Sequence, residues 1–264
     1  MVCSPWVGRM IRFFCLVIFL VLSTSSFAFS TKAKEYFWYQ KDEQKSTDDK
    51  ENAGWEGSAE LGLIYARGNS NTDTLQAKLN LSRDGLLWRP KLAAQSLKTK
   101  DSGETTADRY QMLLQADRKF KHQGYAFVAV NHEVDHFSGF DYQSSIFAGY
   151  GRDFKHGKAW QASVEFGPGY RVSEPEVGET EAERIWHIAG RFKYKFNDTA
   201  YLEGAGVHDR GNEQAISQMS LGFGSKINTT LALKVSYDVR HNSMPPAGVK
   251  SIDRVTAINL VVSF

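Results

Sequence analysis

Two carboxylates, Glu133 and Asp135, and seven histidines are the residues of this chain whose types and spacing could do chemistry. Glu133 and Asp135 are two apart, so on a strand they share a face at about 6.6 Å, where they could hold a cation or work as an acid–base pair. The simpler reading is that they pair with an arginine of a neighbouring strand, such as Arg109. His132 and His136 are four apart, which suits a metal on a helix. On a strand they lie about 13 Å apart and cannot share an ion. His241-Asn242-Ser243 holds the residue types of a membrane phospholipase, but brackets the start of a loop instead of converging. Cys3 and Cys15, the only cysteines, both fall in an N-terminal apolar run. The rest of the chain therefore has no thiolate nucleophile and no cysteine metal site. No catalytic residue, metal or cofactor is expected.

The elements that would position these side chains follow from composition and period. The chain has 264 residues, 42% hydrophobic and 13% aromatic, which is too apolar for a disordered chain. Mean hydropathy is −0.41, and the one long apolar run is N-terminal, which excludes a helical membrane protein. Arg9 and Arg12 precede the run Ile11 to Leu22, which ends in Ser26-Phe27-Ala28. Residues 1–28 thus read as a secretory signal cleaved after Ala28. Those two arginines are its only charges, so the 32 basic residues become 30, equal to the 30 acidic ones. No basic footprint for nucleic acid remains. Residues 29–53 read as a flexible, charged leader without apolar period.

From Gly54 the pattern has period two, as in β-strands. Twelve strands are expected at 54–67, 72–83, 86–100, 105–120, 125–137, 141–154, 159–173, 180–196, 199–209, 214–227, 229–242 and 251–264. The connections are tight at one end and looser at the other, as in an outer-membrane barrel. Pro90 and Pro168 interrupt two strands, with a bulge expected at Pro168. Gly149-Tyr150-Gly151 and Gly167-Pro168-Gly169-Tyr170 read as glycine–aromatic strand positions.

Alternation fixes two faces. On 229–242, Leu231, Leu233, Val235, Tyr237 and Val239 oppose Ala232, Lys234, Ser236, Asp238 and Arg240. Twelve apolar faces exceed what a closed barrel can hold inside, so the apolar face is assigned to lipid. Same-face aromatics recur ten residues apart: Trp55 and Tyr65, Tyr110 and Phe120, Trp160 and Tyr170, Trp186 and Phe196. Ten residues on a strand tilted about 40° rise about 25 Å, the height of an outer-membrane apolar band, so these pairs are expected to form its two girdles. Phe264 ends an apolar last strand and is expected to serve as the assembly signal. The lumen would be lined by Glu56, Glu60, Lys78, Arg89, Arg109, Glu133, Asp135, Glu165, Arg171, Arg191, Lys234, Asp238 and Arg240, with Lys91, Asp117, Lys119 and Lys193 on the same face. A round twelve-stranded barrel has a backbone diameter of about 24 Å, which leaves about 10 Å of water, or none if arginines and carboxylates bridge across.

Trp55-Glu56-Gly57, Leu61-Gly62, Gly68-Asn69-Ser70-Asn71-Thr72, Asp108-Arg109-Tyr110, Glu133 to Phe137 and Gly149-Tyr150-Gly151 together resemble the DUF481 family, described as salt-induced outer membrane proteins. The resemblance covers about 54–264 and implies location and fold, with no catalytic residues. The fold expected is all-β: a transmembrane, antiparallel, up-and-down barrel of about twelve strands, with both termini periplasmic. A narrow passive pore for small polar solutes, or an envelope protein of the salt-stress response, is the functional expectation. A lipid- or lipopolysaccharide-acting enzyme and a closed structural barrel are the alternatives. Expected partners are outer-membrane lipid, lipopolysaccharide and the barrel assembly machinery.

Overall fold

The computed structural model describes residues 54–66, 72–156, 159–176, 178–245 and 250–264. The segments read as signal and leader, and most of the Gly68 to Asn71 motif, lie outside them. Period-two alternation gives each segment one face that prefers lipid or packing and one that does not, a division that a strand satisfies and a helix does not. Twelve strands follow in chain order: β1 (Trp55–Ala66), β2 (Thr72–Arg83), β3 (Trp88–Asp101), β4 (Glu104–Lys119), β5 (Gly124–Asp135), β6 (Phe140–His156), β7 (Trp160–Pro175), β8 (Glu181–Lys195), β9 (Ala200–Gly211), β10 (Ala215–Lys226), β11 (Leu231–Asn242) and β12 (Ile252–Ser263). Each pairs antiparallel with its chain neighbours, and β1 pairs with β12 to close the barrel. At that seam Phe264 exchanges backbone bonds with Gly57, at 2.8 and 3.0 Å, so the terminal aromatic completes the last rung.

Burial is inverted relative to a water-soluble fold. Leu61, Phe166, Ile188 and Val235 are exposed on the outside, while Ser58, Asp117, Ser236 and Asn259 are buried within. Among the described residues nothing covers the outward apolar surface, and the buried side chains line the lumen. The girdle aromatics Trp55, Tyr110, Phe120, Trp160, Tyr170, Trp186 and Phe196 all belong to the exposed face. Tyr65 is on β1, but its side chain lies outside the described residues.

The prolines have different explanations. Lys119 N donates to Leu87 O, which makes Arg89–Asp117 a hydrogen-bonded pair and Pro90–Ala116 a non-bonded one in the β3–β4 ladder. Pro90 therefore turns its nitrogen toward β2, and the β2–β3 ladder has already ended at Ser82–Lys91. No ladder bond is lost. Pro168 makes no bulge: the β6–β7 register is the same on both sides of it, with Phe147 opposite Gly169 and Tyr150 opposite Phe166. Bond pairing lapses there instead, because proline has no donor, and the two backbones stay close. A Cβ on Gly167 would come within 2.1 Å of Ala148 O, and one on Gly149 within 2.2 Å of Phe166 O.

The ends of the barrel are less unequal than the sequence suggests. The β3–β4 connection, at the supposedly looser end, is a two-residue turn in which Ser102 and Gly103 both have positive φ (53° and 91°). That geometry matches the strand twist in a tight hairpin. The one long connection at that end runs from 243 to 251.

Candidate functional site

The lumen carries three ion-pair networks, a main apolar cluster and a smaller one of Tyr201, Ala232 and Val261. Near the end where the chain enters, Arg89 on β3 binds Asp117 and Asp153, both at 2.8 Å. Lys91 binds Asp117 at 2.8 Å and reaches Glu165 at 3.6 Å, and Arg191 reaches Glu165 at 3.3 Å. Gln115 donates to Asp117 at 2.7 Å and to Glu165 at 2.9 Å, and Tyr125 OH donates to Glu165 at 2.9 Å. Three cations meet three anions, and Arg89 lies 4.7 Å over the Tyr125 ring. A second network joins β1, β11, β9 and β8. Lys234 binds Glu60 at 2.6 Å and Glu203 at 3.0 Å, and Lys193 approaches Glu203 at 3.8 Å. Gly222 and Asn259, small or neutral on the strands between, leave these side chains room to reach over them. Lys78 and Asp238 add a pair at 3.1 Å.

The third network spans the opening. Arg109 binds Asp135 at 2.7 Å, Asp253 at 3.2 Å and Glu133 at 3.9 Å. Both carboxylates of the sequence pair are thus held by arginines, and Glu133 also contacts Arg240. Glu133 is on β5 and Arg240 on β11, half the circumference away. An arginine and a glutamate in contact span about 14 Å between backbones, well short of the ~24 Å of a round barrel. The barrel is therefore narrowed along this axis, which removes the 10 Å water column of the round estimate. On β7, Arg171 contacts Glu183 and donates to Gln214 O at 2.8 Å.

The lumen is not hydrophilic throughout. Tyr125, Phe127, Ala129, Phe147 and Ile185 form a buried cluster on the inner wall of β5, β6 and β8. His187 stacks on Phe147, with centroids 4.4 Å apart and planes 8° apart, while its Nδ1 meets Asp209 at 2.6 Å. Inward glycines make the space. A Cβ on Gly151 would strike the Tyr125 ring at 2.4 Å, and one on Gly169 would press Ile185 at 3.0 Å. The glycine–aromatic motifs are therefore seats for rings.

All thirteen residues read as lumen-lining are on described strands, and twelve make an inward contact described above. Glu56, the other, is buried at the start of β1. The sequence reading missed Glu203, Asp153, Asp209, Asp253 and Tyr125. Gly204 and Gly206 break the alternation of β9, which hid the facing of Glu203 and Asp209. Asp153, by contrast, keeps step with the small inward glycines of β6 and could have been found. Outside the barrel, His132 Nδ1 meets Ser144 Oγ and His208 Nδ1 meets Ser217 Oγ, each at 2.8 Å. No carboxylate orients either histidine among the described residues, so neither pair is an assembled triad. Ser243 Oγ accepts from Ala215 N and makes no bond to His241. Among the described residues no three metal-ligating side chains converge.

The family model described as "Protein of unknown function, DUF481" matches residues 59–264. The chain belongs to the DUF481 family. A relative in this comparison is the uncharacterized protein YdiY of Escherichia coli strain K12, 25% identical over 208 residues, covering 78% of this chain and 82% of that one. Among solved structures the NanC porin superposes with a TM-score of 0.50 at 11% identity, over 79% of this chain and 98% of its own. The COG4313 outer membrane channel of Pseudomonas putida F1 gives 0.48 at 11% identity, over 80% and 95%. The NanC likeness agrees with the fold seen here, a closed antiparallel barrel.

Proposed function

We propose that this DUF481 member is an outer-membrane barrel that works as a narrow passive channel for water and small polar solutes, with the Glu133–Arg240 crossing as its constriction. The outward apolar face supports a lipid environment, since so much exposed apolar surface has no soluble counterpart without a partner. The crossing carries the reading: charged side chains line the lumen on both sides of it, and a side-chain contact, not backbone, narrows the path. Lumen charges of both signs are held in mutual ion pairs, which supports weak selectivity between positive and negative ions. The likeness to a solved structure titled a porin agrees with this reading.

The test is single-channel conductance of refolded protein in a planar bilayer, with heat-modifiable gel mobility as the control for folding. Small discrete steps are expected from the native chain, and larger ones from Glu133→Ala with Arg240→Ala. Silence from both folded proteins overturns the channel. That result favours the second reading, a closed structural barrel, which the Phe127, Phe147 and Ile185 cluster supports.

A further inference from the structure

The outer surface separates charge in a way that the lumen does not need. At the end of the barrel away from the chain termini, the outward positions of β8 to β12 carry Arg184, Arg210 and Arg254, with His208 and His241 between them, all exposed. Register makes them contiguous. Arg210 is opposite Trp186, Ser217 is opposite both His208 and His241, and Arg254 is opposite Val239. The acidic residues of the same strands point the other way: Glu183 contacts Arg171, Asp209 binds His187, and Asp253 binds Arg109 across the lumen. None of the three arginines has a carboxylate partner among the described residues. The opposite flank differs, because there Lys98 is matched by Asp108 at 3.4 Å. At the other rim, outward Arg118 and Arg152 lie over the rings of Trp88 and Phe154.

Three guanidinium groups without a carboxylate partner among the described residues, two of them beside the exposed Trp186, form a cationic arc at the edge of an apolar band, where lipid headgroups lie. Adjacent strands are about 4.8 Å apart, so the arc from β8 to β12 is about 19 Å across the strands, and with the register offset of about six residues its ends lie about 28 Å apart along the wall. That width suits a headgroup carrying more than one phosphate, and guanidinium binds phosphate through paired N–H donors. We propose that this arc binds the phosphates of lipid A, the bisphosphorylated glycolipid anchor of lipopolysaccharide. The proposal rests on the outer-membrane reading, with the chain termini periplasmic and this rim in the outer leaflet. It does not depend on whether the lumen conducts.

The experiment measures binding of purified bisphosphorylated lipid A to the full barrel in detergent, by native mass spectrometry and by the shift in heat-modifiable gel mobility. Arg184→Gln, Arg210→Gln and Arg254→Gln combined should weaken binding at least about tenfold, as expected when several surface ionic contacts are lost together. The triple variant should keep the native melting behaviour in lipid-free detergent, which separates lost binding from lost folding. Lys98→Gln with Lys100→Gln on the opposite flank should bind as the native protein does. Dephosphorylated lipid A should bind no better to the native protein than to the triple variant. Equal binding by native and triple-variant protein overturns the proposal. So does equal protection by phosphatidylglycerol, which would mark a non-specific preference for anionic lipid. A barrel found outside the outer membrane would instead remove the reading on which the proposal rests.

Discussion

Lys234→Met is the sharpest test of how dry the lumen is. Lys234 is 3% exposed and lies between Glu60 and Glu203, each 4% exposed, at 2.6 and 3.0 Å. Methionine fills most of the volume but removes the cation, so two buried carboxylates face each other across its place. Glu203 keeps Lys193 at 3.8 Å, whereas Glu60 keeps no ion-pair partner among the described residues. Breaking a buried ion pair by removing one member costs about 3–5 kcal/mol, because the orphaned charge has lost both water and its counter-ion. Replacing both members can be close to neutral. Lys234→Met combined with Glu60→Gln leaves Glu203 and Lys193 matched and should recover all but about 1–2 kcal/mol. Urea unfolding in lipid vesicles, followed by tryptophan fluorescence, reads these differences directly. A single variant within about 1 kcal/mol of native would mean that water already screens these charges. The filled lumen, and the constriction built on it, would then be wrong.

Other consequences are open to measurement. Gly167→Val should lower the refolding yield sharply on gels, since its Cβ meets backbone at 2.1 and 2.7 Å, whereas Gly190→Ala, with nothing nearer than 3.9 Å, should refold normally. Phe147→Ala removes the ring stacked on His187 and should cost about 3–5 kcal/mol in the same unfolding assay. If the lumen conducts, that variant should also conduct more. Trp186 and Trp160 are expected at opposite girdles, so as single-tryptophan proteins both should be quenched by shallow lipid-attached quenchers and spared by quenchers at the bilayer centre. Deep quenching of either would move the band.

The sequence by itself determined the strand count and the identity of the two faces. Twelve segments were expected and twelve strands are present, with ends displaced by two residues at most. The reason is local: side chains on a strand alternate by geometry, so facing is written into successive residues wherever the alternation is unbroken. β11 shows this, with Leu233 and Val235 outside and Lys234 and Ser236 within. The same rule fails on β9, where Gly204 and Gly206 carry no side chain to declare a face, so Glu203 was missed. Phe127, Phe147 and Ile185 mislead for the opposite reason, being apolar side chains on the inner wall. Their place depends on glycines directly opposite them on neighbouring strands, Gly149 across from Phe127 and Gly169 across from both Phe147 and Ile185.

Partners across the barrel were beyond any local rule. Glu133 and Asp135 were readable as a pair that needed an arginine, and Arg109 on the adjacent strand was a fair expectation. Arg240 was not, because it is half a circumference distant and meets Glu133 only where the wall is narrowed. The absence of a bulge at Pro168 and the exposed arc of arginines belong to the same class. Each depends on register summed over many strand pairs, and register is a property of the closed sheet. The sequence thus set which way each side chain points, and only the tertiary structure set what it meets there.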